Sequence, residues 1–278
     1  MLLRTVVACL GLFLGIFAAA CGAGGRDALI LGATTSVQDT GLLDEIMRAF
    51  EKDTGYTVTP VVGGSGQILE MARRGEVDVI LTHSPDDEQR LVADGEGVDR
   101  RPVMENYFVI AGPSDDPAGV GKVTTLREGF EAISRAGHAF ISRGDSSGTH
   151  KRELSIWREA GVDPHGESWY KESASGQGQS LLLANEMAAY TLVDSSTFTV
   201  FDDRIDLVSL TIDRDRPNVY SVTRVNPDKH PNVNTETAIA LANFLTSVEG
   251  RCLIANFGVS KYGEALFSTA CPRSNTGG

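Results

Sequence analysis

Three stretches of this chain set hydroxyl side chains and glycines, and in one case an arginine, between an apolar run and a helical pattern. They are Gly32-Ala33-Thr34-Thr35-Ser36-Val37-Gln38-Asp39-Thr40-Gly41, Gly63-Gly64-Ser65-Gly66-Gln67, and Ser142-Arg143-Gly144-Asp145-Ser146-Ser147-Gly148-Thr149-His150. A loop that follows a strand and opens a helix offers hydroxyls together with backbone N–H groups that lack intrahelical acceptors, at the positive end of the helix dipole. That chemistry suits a small oxyanion. Glycines would let the backbone approach it closely. The same residues have plainer roles: Thr34, Thr35 and Ser36 would serve equally as helix caps, and Gly63 to Gly66 as a turn. Arg143 discriminates better, because a guanidinium beside several hydroxyls forms a fork of charge-assisted bonds to an oxyanion; its alternative is a salt bridge to Asp145 or a plain surface charge.

Other chemistries fit less well. Ser146 or Ser147 with His150 and an aspartate would make a hydrolase, yet the loop lacks the Gly-x-Ser-x-Gly elbow and places the histidine only a few residues away. His83, His138, His165 and His230 are scattered without metal-ligand spacing, and Asp86, Asp87 and Glu88 read as acidic residues at a helix start. No metal, no cofactor and no catalytic group is expected. Cys252 and Cys271 are left as one candidate disulfide, a metal site being the weaker alternative since neither has a Cys or His neighbour at ligand spacing.

Positioning such loops takes strands and helices in alternation, and the mature sequence supplies them throughout. Apolar runs rich in β-branched residues alternate with helical patterns, which predicts α/β lobes with mostly parallel sheets flanked by helices. Ala28 to Leu31 reads as a strand. Leu42, Leu43, Ile46, Met47 and Phe50 fall on one helical face, stopped by Gly55. Tyr56 to Val62, Gln67 to Arg74 and Val77 to Thr82 follow as strand, helix and strand, and Pro85 suits the first turn of the next helix. Phe108 to Ala111 is another strand, after which Gly112, Pro113, Asp116 and Pro117 break the chain. Beyond that break come a helix over Leu126 to Arg135, strand Ala139 to Ser142, helices Thr149 to Ala160 and Gln177 to Met187, and strands Tyr190 to Val193 and Leu207 to Leu210. Tyr220 to Val225 is the return crossing. The helix Glu236 to Ser247 then presents Ile239, Leu241, Ala242 and Leu245 as its apolar side. Two crossings divide the chain into a discontinuous lobe, 28–111 with 220–278, and a continuous lobe, 112–219, with a cleft between them. In parallel sheets, ligands bind outside the carboxyl ends of the strands, where the three loops gather.

The first residues carry an address. Arg4 precedes an apolar run from Val6 to Phe17, followed by Ala18, Ala19 and Ala20 before Cys21, the pattern of a secretory signal over 1–20. The run falls short of the roughly 20 apolar residues a spanning helix needs. Small residues before a cysteine resemble the lipobox of bacterial lipoproteins, with Ala18 where Leu is usual; this implies cleavage before Cys21, lipidation of its thiol, and a tether over 21–27. Ordinary secretion without the lipid is the alternative. The formal charge of −12 argues against nucleic acid or an anionic membrane surface as partner, and would repel a dianion at long range. Any anion site must then rely on local donors.

Taken together, the Thr34-Thr35-Ser36 loop running into Asp39-Thr40-Gly41-Leu42-Leu43, the Gly63 to Gln67 loop, Val98 to Met104 before Phe108-Val109-Ile110, Arg143 to His150 with Glu153 and Trp157, and Ala189-Tyr190-Thr191-Leu192 resemble the tungstate-binding proteins of ABC importers. The Arg-Gly-Asp-x-Ser-Gly-Thr-His stretch is the most specific part. The resemblance implies a type II periplasmic-binding-protein fold with tungstate held between two lobes. It places Thr34, Ser65, Arg143 and Thr149 against the oxyanion, with Thr35, Ser36, Gly66, Ser146, Ser147 and Gly148 as further donors. The implied partners are an ABC permease and ATPase, the membrane through the lipid anchor alone, and no second copy of the chain. Molybdate, sulfate and phosphate stay open as ligands, as does a sensory or adhesive role. The chain departs from the family at Gln179 and Ser180, where Met and Gly are usual, and at Ser195 and Ser196, where Arg-Gly is usual. Both departures bear on the cleft rim.

Overall fold

The computed structural model describes residues 28–272. The signal over 1–20, Cys21 and the whole tether over 21–27 lie outside those residues.

The first half of the chain alternates as expected, except that a short helix, α1, occupies part of the stretch read as the first loop: β1 (Leu29–Thr34), α1 (Thr35–Asp39), α2 (Leu42–Thr54), β2 (Val58–Gly63), α3 (Ser65–Arg73), β3 (Val79–Thr82) and α4 (Pro85–Ala93). Some of these helices carry plain local signals. Helix α2 buries Leu42, Leu43, Ile46 and Phe50 along one stripe and ends at Gly55, whose φ of 75° is left-handed. Pro85 sits in the first turn of α4. After the long strand β4 (Gly97–Gly112) come α5 (Leu126–Ala136), β5 (Phe140–Ser142), α6 (Gly148–Glu159), β6 (Tyr170–Glu172), α7 (Gln177–Glu186), β7 (Tyr190–Asp194) and α8 (Ser195–Phe201). Helix α5 starts at a reciprocal capping box between Thr125 and Glu128. The chain closes with β8 (Val208–Val225), α9 (Thr235–Thr246), α10 (Val248–Asn256) and α11 (Val259–Tyr262).

The strands form one sheet in the order β2-β1-β3-β8-β4-β7-β5-β6. Pairings within β2-β1-β3 and within β7-β5-β6 are parallel. The central pairings β3-β8, β8-β4 and β4-β7 are antiparallel. Two parallel trios are thus joined by a long two-stranded ribbon, broken in register at four places including the step from Asn106 to Phe108. Leu207 to Leu210 and Tyr220 to Val225, read from sequence as separate segments, belong to the single strand β8. The polar run Asp213-Arg214-Asp215-Arg216 between them is largely exposed, so it carries no apolar alternation by which to recognise a strand.

One apolar cluster gathers around β1, β3, α2 and α9, another around Phe130, Phe140, Trp157 and Tyr190. In α9 the buried side is Ala238, Leu241, Ala242 and Leu245, whereas Ile239 is 38% exposed; the expected stripe is rotated by one residue. Cys252 and Cys271 are bonded with Cα atoms 4.8 Å apart. That bond ties to α10 the final segment, which pairs with β4 through Glu105 and Ser268.

Candidate functional site

Each of the three loops ends in a helix start. Thr34 closes β1 and is the N-cap of α1, Gly64 is the N-cap of α3, and Ser147 is the N-cap of α6, its hydroxyl accepting from the His150 N–H. A fourth start joins them at α7, whose N-cap is Gly176. Each start brings first-turn N–H groups without intrahelical acceptors. The four lie against one another. A Cβ on Gly66 would come within 2.9 Å of the Ser146 carbonyl oxygen, and one on Gly64 within 3.4 Å of the Ser147 Cβ. The Gly178 N–H in the first turn of α7 donates to Asp39 Oδ2 at 3.2 Å. Glycine at 66 is therefore a packing requirement: no side chain fits between these two loops.

Arg143 lies at the centre and is only 2% exposed. Its Nη1 donates to Gln177 Oε1 at 3.2 Å, its Nε to the Ser175 carbonyl at 3.4 Å, and its Nη2 to Thr35 Oγ1 at 3.4 Å and to the Asp145 carboxylate. The salt bridge to Asp145 and the place in the cluster, read from sequence as alternatives, are both present. Three of these contacts are long for charge-assisted bonds.

Two hydroxyls of the cluster are unanswered. Ser65 Oγ and Thr149 Oγ1 are buried and have no hydrogen-bond partner among the described residues. A buried, unsatisfied polar group costs about 1–3 kcal/mol. These two lie on the facing starts of α3 and α6, where each has a hydrogen still to give.

The remaining predicted residues divide. Thr34 and Thr35 flank the cluster and Gly148 opens α6 within it. A Cβ on Gly148 would come within 2.7 Å of the His83 carbonyl oxygen. Ser146 and Ser147 spend their N–H groups inside the loop, on His150 Nδ1 at 3.0 Å and Asp145 Oδ1 at 3.1 Å, so those two backbone donors are not free. The Ser36 hydroxyl bonds Thr34 and Tyr220 rather than Arg143. Of the departure positions, Gln179 is exposed, Ser180 bonds the Ser173 hydroxyl, Ser195 accepts from the Tyr107 N–H, and Ser196 binds Asn106 and the Leu266 carbonyl. None of these four side chains bonds Arg143. Sequence reasoning missed Gln177 and Tyr220 as members of the cluster. Gln177 reads from sequence only as the start of a helix beside the departure positions, and Tyr220 only as part of a crossing.

Carboxylates near Arg143 are already engaged as acceptors. Burial raises the pKa of Asp39, against the Gly178 N–H bond and the Arg143 charge. Burial likewise raises Asp194, which accepts from the Thr197 N–H and hydroxyl and from Asn106. The histidines do other work. Burial lowers His83 to about 4, and its Nδ1 meets Asn218 Oδ1 at 2.9 Å. His165 pairs with Asp163 and His230 with Glu96, while His138 packs edge-on against Tyr190. Of the acidic run at the start of α4, Glu88 is buried and accepts from Thr82, Ser84 and Arg100. The Ser147 hydroxyl bonds the His150 backbone and the His150 ring bonds the Ser146 backbone, so no Ser–His nucleophile pair is assembled. Among the described residues, no group of three or more His, Cys, Asp or Glu side chains is placed to hold a metal ion.

A family model described as a PBP superfamily domain matches residues 20–249. The chain is 40% identical over 247 residues to the tungstate-binding protein TupA of Peptoclostridium acidaminophilum, a match covering 87% of this chain and 86% of that protein. It superposes on the solved structure of the tungstate ABC transporter from Geobacter sulfurreducens with a TM-score of 0.76 at 41% identity, covering 84% of this chain and 100% of that one. The tungstate-binding protein TupA from Desulfovibrio alaskensis matches with a TM-score of 0.73 at 35% identity, covering 88% and 99%.

Proposed function

The chain belongs to the PBP superfamily and, within it, to the family of the tungstate-binding proteins it matches, and we propose that it captures tungstate in the Arg143 cluster and delivers it to an ABC importer. The observation that carries the reading is the convergence of four helix starts on a buried guanidinium, with the Ser65 and Thr149 hydroxyls unpartnered beside it. A tetrahedral dianion is costly to desolvate unless donors meet nearly all of its oxygens. Neutral hydroxyls, first-turn N–H groups and one arginine meet them without a titrating group. Asp39, Asp145 and Asp194 already accept other hydrogens, so an anion bearing an O–H finds no ready acceptor, and hydrogen phosphate is disfavoured. Tungstate and molybdate are alike in size and charge; the relatives' ligand supports tungstate.

On this reading residues 28–111 with 220–278 form one lobe and 112–219 the other. The β4-β8 ribbon is the hinge, and closure brings α1 and α3 onto α6 and α7. The protein acts outside the cytoplasm as a monomer, anchored through lipidated Cys21, and the closed form is what the permease and ATPase complex recognises. Binding rather than turnover is its activity.

Arg143→Ala tests the site. Two charge-assisted bonds at about 1.5 kcal/mol or more each correspond to a loss of more than about a hundredfold in tungstate affinity, read by calorimetry. Arg143→Lys loses the fork and is crippled too. Unchanged affinity in both variants would refute the assignment.

A further inference from the structure

Behind the cluster runs a line of hydroxyls with a fixed direction. Thr34 Oγ1 lies 3.1 Å from Ser36 Oγ, and Ser36 Oγ lies 3.0 Å from the Tyr220 hydroxyl. All three residues are at most 1% exposed. Each hydroxyl has one hydrogen to give, so the far end of the line decides which way all of them point. That end is anchored by Asp194, an acceptor when ionised, which meets Asn106 Nδ2 at 2.8 Å. The second hydrogen of that amide goes to Ser196 Oγ at 2.8 Å. Asn106 Oδ1 therefore accepts, and takes a hydrogen from Asn218 Nδ2 at 2.7 Å. Asn218 Oδ1 in turn faces His83 Nδ1, which must carry the hydrogen of that neutral ring. The Tyr220 oxygen meets the Asn106 and Asn218 side chains as well as Ser36; both hydrogens of the Asn106 amide are already given to Asp194 and Ser196, so the other hydrogen of the Asn218 amide is the one that remains for the Tyr220 oxygen. Burial raises the phenol's pKa above its ordinary value, so it keeps its own hydrogen. With its oxygen already accepting, Tyr220 gives that hydrogen to Ser36, and Ser36 gives its own to Thr34.

We propose that Tyr220 and Ser36 are positioning residues that hold Thr34 as a hydrogen-bond donor toward the bound anion, so that the site favours an oxyanion without a proton over one carrying an O–H. The inference rests on reading Thr34 as a ligand contact, and adds that residues of β8 and α1 which do not touch the ligand set the polarity of that contact. Without the relay the Thr34 hydroxyl rotates freely, and it serves a protonated oxygen as well as a bare one.

The test is a double-mutant cycle of Tyr220→Phe and Ser36→Ala, titrated by calorimetry with tungstate and, separately, with inorganic phosphate at neutral pH. Each single variant is expected to lose about five- to tenfold in tungstate affinity and to narrow the preference for tungstate over phosphate. The double variant is expected to lose no more than Ser36→Ala alone, because Ser36 transmits the effect. Additive losses, or a preference that does not move, overturn the relay while leaving the anion site standing. A wild-type protein that does not bind tungstate overturns both readings. Should Tyr220→Phe fail to fold by its melting curve, the same cycle is run with Ser36→Ala and Thr34→Val: the relay requires Ser36→Ala to have no further effect once the Thr34 hydroxyl is gone, and a further loss overturns it.

Discussion

Glu153 lies directly beneath the anion loop. Its Oε2 accepts from the Ser142 hydroxyl at 2.8 Å and its Oε1 from Tyr170 at 2.7 Å and Trp157 Nε1 at 3.2 Å, which ties α6 to the ends of β5 and β6. Burial nevertheless pushes its pKa from 4.5 up to about 7, against those donors. Between these two values the folded protein holds a proton that the unfolded chain has released. Its stability from this group therefore falls as pH rises through that window and is flat above it. Glu153→Gln removes this slope, so melting temperatures of the variant relative to wild type should rise from pH 5 to pH 8; parallel profiles would contradict the assignment. Arg143, Ser65 and Thr149 were legible in the sequence because their chemistry sits in loops between recognisable elements. Tyr220, Asn106 and Asn218 were not, since a buried polar network emerges only when distant strands pair: Asn106 faces Asn218 across the β4-β8 ribbon.

At the level of elements, α3 and the loop before α6 approach so closely that Gly66 has no room for a methyl group, its added Cβ lying 2.9 Å from the Ser146 carbonyl. Gly66 also lies within α3, where alanine favours the helix by about 1 kcal/mol. Gly66→Ala should bind tungstate more weakly, because its methyl group meets that carbonyl wherever the two loops are together. Equal affinity in calorimetry would show that binding does not bring them together. Strand-then-helix alternation made most of these elements readable, helped by specific signals such as Gly55 after α2 and Pro85 at the start of α4. The ribbon was only half readable. Its exposed middle, Asp213 to Arg216, shows none of the alternation that marks a half-buried strand, so the sequence reads β8 as two pieces.

For the whole molecule, a net charge of −12 gives a dianion no long-range attraction, so affinity must come from donors that enclose it. Contacts between the parts carrying α1 and α7, and α4 and α6, supply such an enclosure: Asp39 with Gly178, and Lys151 with Asp87. If the β4-β8 ribbon is the hinge between lobes, small-angle scattering should record a smaller radius of gyration with tungstate than without it for wild type, and no change for Arg143→Ala. A wild-type radius that stays constant would place the anion in a preformed site instead. A competition titration of the mature protein by calorimetry with tungstate, molybdate, sulfate and phosphate at neutral pH tests the proposed tungstate site most directly. One tungstate per chain is expected, with molybdate competing closely, sulfate weaker and phosphate weakest. Phosphate binding as tightly as tungstate, or no saturable binding of any of the four, would contradict it.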